Sequence, residues 1–352
     1  MSFNVSSGSK EVKTIPARFK ADKDGCGDLH ILRFYSSYVA VRDGKVVDVT
    51  DPYMEYCPLA ACFYKDIQNA DSLEATKETI KKIINEKITK FGVFTGNREL
   101  FSENIAIPYG ASEILMFAMR QGLIDASVVV CDGAGTVVVN RAEVVQGIGA
   151  RMNGLFYTSP VGRTIERLKK AGCEVVFEDA AIDQIKGVEK AAELGYKNIA
   201  VTINALMDED LKEIEKIENK FQILITVLTI CTTGATKEKI REIEKYADIV
   251  WSCASDPVRK VVGKKAILQL SRKIPVFVLT QKGLDLVSGY SFSGQLIKRL
   301  DKRKQYILDS FKEGKRIEVG NFEGYLREET LPVRSKGEPR LLKNKTGYMG
   351  DH

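Results

Sequence analysis

The feature that most constrains the fold is a regular alternation of apolar strands and charged helices from Cys173 to Leu279. The strand-like runs begin at residues 199, 223, 248 and 275, so they lie 24 to 27 residues apart. The runs are almost continuously apolar, which is typical of strands covered by helices on both faces. These units are too few for an eight-fold barrel. The spacing therefore predicts an α/β fold with a parallel, Rossmann-like open sheet and right-handed crossovers.

The rest of the chain predicts further elements and four segments. We expect an extended or disordered N-terminus (1–25), an N-terminal α+β domain that contains a β-hairpin (26–165), the parallel α/β domain (166–290) and a basic C-terminal extension (291–352), disordered from 336. The predicted elements are the hairpin over 38–49, helices over 72–90, 111–121, 208–220, 236–246, 258–271 and 293–312, and strands over 126–131, 136–139 and 316–319.

Composition excludes several classes of protein. The chain has two histidines, His30 and His352, which excludes multi-histidine metal sites. A Ser-His-acid triad has only His30 to draw on, and its sequence context offers no nucleophile elbow. No apolar run approaches the length of a membrane span, and the N-terminus lacks the apolar centre of a signal peptide. We therefore expect a cytoplasmic protein without membrane contact.

The positive charge is concentrated near the C-terminus. The formal net charge is +6, and residues 295–352 hold 14 Lys and Arg against 9 Asp and Glu, so five of the six net charges lie there. Because both signs alternate in this segment, we expect a solvated helix and strand rather than a nucleic-acid partner.

The seven cysteines carry the most specific prediction. Their odd number argues against a disulfide framework. Cys131, Cys231 and Cys253 each follow an apolar strand, and ligands of open α/β sheets bind outside such strand ends. We expect these three to converge, with Cys57 as a fourth member, on an iron–sulfur cluster, another thiophilic metal or a nucleophilic thiol. The alternative is that cysteine is here a small buried core residue. The others, expected to be structural or exposed thiols, are Cys26, Cys62 and Cys173.

Small residues follow all three of these strand-end cysteines, where backbone amides could approach an anion. The turn Asp132-Gly133-Ala134-Gly135-Thr136 resembles the first phosphate loop of sugar-kinase and actin-like ATPases, and is also consistent with a plain glycine hairpin. Arg151 lies in a polar, glycine-interrupted stretch and could bind a carboxylate or phosphate. The cofactor-binding candidates are Gly133, Gly135, Thr136, Thr232, Thr233 and Gly234, and the catalytic candidates are Cys131, Asp132 and Arg151.

Five stretches together resemble the methanogenesis marker 8 family over roughly residues 28–285. They are EYCPL at 55–59, GASEIL at 110–115, VCDGAGTV at 130–137, VQGIGAR at 145–151 and VWSCAS at 250–255. The resemblance implies occurrence in methane-producing archaea and other anaerobes. It also implies a role in maturing or activating methyl-coenzyme M reductase, or in related anaerobic one-carbon metabolism.

Three hypotheses follow. The first is a protein of anaerobic metabolism with an iron–sulfur or other metal site at its strand-end cysteines, working as an enzyme or as a cofactor-maturation factor on a small molecule or protein partner. The second is a phosphate- or nucleotide-dependent enzyme that uses the turn from Asp132 to Thr136. The third is a non-catalytic assembly factor whose cysteines are structural.

Overall fold

A computed structural model describes residues 15–16, 18–19, 27–291, 294–320 and 322–342 of the chain. Most of the predicted N-terminal segment, Cys26 and residues 343–352 lie outside this part. The strands are β1 Leu29–Phe34, β2 Ser37–Arg42, β3 Lys45–Val49, β4 Met54–Tyr56, β5 Ala126–Cys131, β6 Gly135–Val139, β7 Gly154–Thr158, β8 Glu174–Val175, β9 Asn198–Asn204, β10 Leu224–Ile230, β11 Ile249–Trp251, β12 Leu268–Leu270, β13 Val276–Val278, β14 Tyr306–Asp309, β15 Lys315–Val319, β16 Phe322–Glu328 and β17 Arg340–Leu341.

The helices alternate with the central strands. They are α1 Pro58–Phe63, α2 Lys65–Gln68, α3 Leu73–Phe91, α4 Ala111–Arg120, α5 Ala142–Gly149, α6 Gly162–Lys170, α7 Gln184–Glu193, α8 Lys212–Phe221, α9 Lys237–Tyr246, α10 Asp256–Val261, α11 Gln281–Ser288 and α12 Gly294–Lys298. None of the helices in the described part of the chain is long and apolar enough to cross a membrane.

A small antiparallel sheet with the order β3-β2-β1-β7 contains the predicted hairpin, which is confirmed. Helix α3 covers it with an isoleucine face that includes Ile80 and Ile84. The hydroxyl of Ser72 accepts from the amide of Ala75 at the start of this helix, and Gly92 ends it at a φ of 64°. This sheet carries β1 and β7, which border the candidate site described below.

A second sheet of eleven strands makes the protein α/β. Its order is β15-β16-β14-β12-β13-β11-β10-β9-β5-β6-β8. Strands β5, β9, β10 and β11 run parallel, and one hydrophobic core lies on each face of the sheet. The sheet continues across both predicted domain boundaries, at 165/166 and 290/291, and the division into domains stays a prediction.

The prediction of a parallel sheet up to Leu279 is wrong at its last strand. β13 runs antiparallel to both β11 and β12. The predicted helix over 258–271 ends at Val261 as α10, and its last residues form β12 instead. Only five residues separate β12 from β13, which is too short for the crossover that a parallel pair needs. The sheet is therefore mixed.

The C-terminal extension also differs from expectation. The predicted helix over 293–312 is confined to α12, and Tyr306–Asp309 forms β14 beside β12. The predicted strand over 316–319 is confirmed as β15. Residues 336–342, expected to be disordered, include β17, which pairs with β4. The apolar Ile307 and Leu308 are completely buried in the sheet, which explains why this charged segment is not a solvated helix.

Candidate functional site

Cys231 and Cys253 follow two neighbouring parallel strands. β10 and β11 pair through Leu228 and Ile249, so their carboxyl ends lie side by side at one edge of the sheet. Cys231 comes directly after β10, and Cys253 stands two residues after β11. Both have a positive φ, of 57° and 45°, which costs a non-glycine residue about 1 kcal/mol or more. The chain therefore turns sharply at each cysteine as it leaves the sheet.

Cys253 interacts electrostatically with two other thiols near this edge. Burial and the nearby thiol of Cys253 together raise the pKa of Cys231 to about 12. Burial likewise raises the pKa of Cys253, and Cys57 raises it further. Burial also raises the pKa of Cys57. The structure therefore places Cys253 near both Cys231 and Cys57, and burial favours the protonated form of all three thiols near neutral pH.

Arg33 supplies a positive charge beside Cys231 and Cys253. It lies on β1, opposite Gly154 at the start of β7. Its Nη1 donates to the carbonyl of Thr233 at 2.7 Å, and the guanidinium lies 5.1 Å from the ring centre of Tyr53. Its charge lowers the pKa of Cys231 and of Cys253, opposing the larger effect of burial. A thiolate formed here has a cation beside it.

Two buried nitrogen atoms at the site have no hydrogen-bond acceptor. They are Nη2 of Arg33 and Nδ2 of Asn204, the last residue of β9. Asn204 pairs with Ile230, directly before Cys231, so the two nitrogens flank that cysteine. A buried donor without an acceptor costs about 1–3 kcal/mol. Both would be satisfied by a negatively charged group held between the thiols.

Backbone groups also favour a thiolate at Cys253 and Cys57. The amide of Thr232 faces the thiol of Cys253 and lowers its pKa. The amides of Ala60 and Leu59 do the same for Cys57, which stands at the N-cap of α1. In both cysteines burial raises the pKa of the thiol more than the amides lower it. The amides therefore stabilise the sulfur fully only when it carries a negative charge. Hydrogen bonds to sulfur are one of the protein's means of tuning an iron–sulfur cluster.

Cys131 is not part of this group. Its side chain is completely buried in the hydrophobic core of the sheet, and its thiol donates to the carbonyl of Asp132 at 3.4 Å. Burial raises its pKa, and the ionisable groups that act on it are Asp132, Arg98 and Cys173. Cys131 at the end of β5 therefore points elsewhere, and the convergence of Cys57, Cys231 and Cys253 on one ligand stays a prediction.

The turn from Asp132 to Thr136 is a buried structural connection. Asp132 accepts from Nε of Arg98 at 2.7 Å, and both side chains are completely buried. The amides of Gly133, Ala134 and Thr136 donate to Thr158 Oγ1 and to two carbonyls. A Cβ on Gly135 would come to 2.2 Å of a carbonyl oxygen. These three amides have protein acceptors and are not directed at a phosphate.

The second small-residue turn borders the cysteines. The hydroxyl of Thr232 donates to the carbonyl of Trp251 at 2.7 Å, and that of Thr233 accepts from the amide of Ala254 at 2.9 Å. These bonds tie the turn after β10 to the turn after β11. Gly234 lines a cleft of about 870 Å³ that also reaches Arg33. The predicted binding residues Thr232 and Thr233 thus hold the two cysteine turns in register.

Sequence reasoning missed Arg33 and Arg98. Arg33 is the one charge in the strand LHILRF, and a charge inside an apolar strand is a usable signal of a buried partner. Arg98 follows a short turn after α3, and nothing in its neighbourhood predicts that it pairs with Asp132. Arg151, a predicted catalytic candidate, lies beside Lys87 and away from the carboxyl ends of β10 and β11.

The described residues contain no group of three or more His, Cys, Asp or Glu side chains arranged around a single metal ion. The ligands of a cluster bind different irons and so stand farther apart than the ligands of one ion. A single metal ion is therefore not the ligand that the arrangement of Cys57, Cys231 and Cys253 indicates.

Fold and site together define an α/β protein with cysteines and a half-buried arginine at the edge of a mixed sheet. Residues 30–289 match a family described as "Uncharacterized protein conserved in archaea (DUF2099)". A protein of Methanocaldococcus jannaschii named "Uncharacterized protein MJ0054" is 39% identical over 262 residues, which cover 74% of this chain and 89% of that protein. The chain belongs to this conserved archaeal family.

Proposed function

We propose that Cys57, Cys231 and Cys253 hold an iron–sulfur cluster, and that the protein uses it as an enzyme or as a cofactor-maturation factor of anaerobic metabolism. The observation that carries this proposal is the buried, unpaired Nη2 of the half-buried Arg33 beside Cys231 and Cys253. An anion would satisfy this nitrogen, and a cluster bound by thiolates is one.

The chemistry of the donor set supports a cluster. Metal binding deprotonates thiols, so the raised pKa of Cys231 falls when iron is bound. The charge of Arg33, Nδ2 of Asn204 and the amide of Thr232 would then all face negative sulfur. Three cysteine ligands leave one iron of a cubane cluster open to a further ligand. The cleft of about 870 Å³ beside Arg33 and Gly234 gives a small molecule a route to this edge.

The setting of the proposed function comes from the family. The family is conserved in archaea, and the related protein comes from Methanocaldococcus jannaschii. Together with the five motifs that resemble the methanogenesis marker 8 family, this supports a role in methanogenesis-related one-carbon metabolism, on a small-molecule or protein partner. An anaerobic cell preserves thiolates and clusters that oxygen would destroy.

The test is to purify the full chain without oxygen and to reconstitute it with ferrous iron and sulfide. We expect a brown protein with a charge-transfer spectrum in the visible range and about four irons and four sulfides per chain. Separate replacement of Cys57, Cys231 and Cys253 by serine should remove most of the iron.

Cys62→Ser is the matched control, because Cys62 is an exposed thiol only five residues from Cys57. Cys131→Ala tests the original four-cysteine hypothesis. Both variants should keep the full iron content. A wild-type chain that stays colourless after reconstitution overturns the proposal, and so does equal iron in the Cys57, Cys231 and Cys253 variants.

A further inference from the structure

Lys87 carries a charge that no carboxylate balances. It lies on α3, and its Nζ donates to Oδ1 of Asn153 at 2.8 Å. The rings of Phe34 and Tyr64 have their centres 5.4 and 5.8 Å from that nitrogen. Among the described residues, no acidic side chain forms an ion pair with Lys87. Burial, together with the charges of Arg151 and Arg98, lowers its pKa to about 8.

Arg151 is a second cation in the same place. Its guanidinium carbon lies 4.2 Å from the ring centre of Phe91, at the end of α3. Its Nε is buried and has no hydrogen-bond acceptor. Its charge also lowers the pKa of Tyr64, against the larger opposite effect of burial. In the part of the chain that the structure describes, Arg151 has no carboxylate partner either.

The two arginines whose side chains are almost completely buried each have a carboxylate partner among the described residues. Arg98 pairs with Asp132 at 2.7 Å, and Arg259 lies 3.7 Å from Glu338. Two neighbouring cations without an acid repel each other and are costly to bury unless an anion is bound between them. Aromatic rings reduce this cost but do not neutralise the charge.

We propose that Lys87 and Arg151 form a binding site for one anionic group of a small molecule, a carboxylate or a phosphoryl group. Arg151 offers the planar, bidentate donor pattern that both groups accept, and Lys87 adds a point charge beside it. The site depends on no cysteine. It lies at Tyr64, which follows α1, whereas Cys57 precedes the same six-residue helix of about 9 Å.

Calorimetric titration of the full chain with inorganic phosphate, and separately with malonate, tests the site. We expect at least one of the two anions to bind, and Lys87→Met and Arg151→Met each to weaken that binding at least tenfold. Binding of phosphate alone identifies a phosphoryl site, and binding of malonate alone identifies a carboxylate site. Lys82→Met is the matched control, since Lys82 is an exposed lysine of the same helix and should leave the affinity unchanged.

A second measurement uses the unaltered protein, in case a variant fails to fold. Acetic anhydride at pH 8 should acetylate Lys87 faster than the exposed lysines of α3, and the bound anion should protect it, as read by mass spectrometry of the peptides. The proposal is overturned if neither anion binds, if both variants bind as the wild type does, or if the anion leaves the acetylation of Lys87 unchanged. None of these outcomes depends on iron, so they are independent of the cluster experiment.

Discussion

The missing side chain of Gly154 makes room for the thiol of Cys231. A Cβ built on Gly154 would come to 2.7 Å of that sulfur, well inside van der Waals contact. Gly154 begins β7 and pairs with Arg33, so it lies between the small sheet and the strand-end cysteines. The φ of Gly154 lies outside the left-handed region, so close approach rather than backbone freedom is what requires glycine there.

Gly154→Ala should therefore displace Cys231 and weaken the cluster. We expect clearly less iron after reconstitution than in the wild type, with a destabilisation of about 1–3 kcal/mol from overpacking. Gly162→Ala is the control, because a Cβ there meets open space. Iron analysis and urea unfolding of both variants measure the two effects. Full iron in Gly154→Ala would mean that the position of Cys231 does not matter.

The metal-free thiols should react slowly at neutral pH. Burial raises the pKa of Cys57, Cys231 and Cys253, so little thiolate is present at pH 7, and it increases as the pH rises. Alkylation with iodoacetamide, followed by mass spectrometry at pH 7 and pH 9, should label the exposed Cys62 first at both values. Rapid labelling of Cys231 at pH 7 would contradict this expectation.

The local patterns in the sequence predict much of the fold. Ser72 and Gly92 bound helix α3 as capping rules require, and Asp43-Gly44 produces the hairpin turn between β2 and β3. The apolar runs also predict strands β9 and β10. What failed is β12, a three-residue strand after a helical pattern, because its pairing with β13 and β14 is a tertiary interaction that no local pattern records.

What the sequence predicts of the site is limited for a similar reason. Position at a strand end is readable from the sequence, and Cys231 and Cys253 follow the paired parallel strands β10 and β11. The direction of a side chain there depends on the turn, and Cys131 directs its thiol into the core. Arg33 comes from a different sheet, so its proximity to Cys231 follows only from how the two sheets pack.

The pair of Arg98 and Asp132 should be structural. Asp132→Asn leaves a buried guanidinium without its counter-ion, and breaking such a pair costs about 3–5 kcal/mol. We expect urea unfolding to show a strongly lowered free energy of unfolding. We expect neither the wild type nor the variant to bind ATP. Glu143→Gln is a partly exposed control on α5 that removes an ion pair with Arg141, with a loss of at most about 1 kcal/mol. The phosphate-loop hypothesis would be restored if the wild type binds ATP and the Asp132→Asn variant, at full stability, does not.

The C-terminal residues should help to hold the cysteines. Arg340 of β17 pairs with Tyr56, directly before Cys57. Glu338 lies 3.7 Å from Arg259, which donates to the carbonyl of Cys253. A chain that ends at Val333 should therefore bind less iron than one that ends at Leu342, which should match the full chain. Equal iron in the two truncated chains would show that the tail is not needed.

Stability should fall in acid because of His30. This histidine is completely buried, and its Nδ1 lies 2.6 Å from Oγ1 of Thr158. Burial lowers its pKa, against the opposing charges of Asp132, Asp28 and Asp43. The unfolded chain, with a histidine pKa of about 6.5, then binds a proton that the folded chain does not.

This difference in proton binding makes the free energy of unfolding decrease as the pH falls. Above about pH 6.5 both states leave His30 neutral, and below it the free energy of unfolding decreases by up to about 1.4 kcal/mol per pH unit until the lower folded pKa is reached. His30→Gln cannot take up this proton, so its loss of stability between pH 7 and pH 5 should be smaller than that of the wild type. Urea unfolding of both proteins at the two pH values measures the difference. Identical losses would mean that the pKa of His30 is the same in the folded and the unfolded chain, so that the charges of the nearby aspartates cancel the effect of burial.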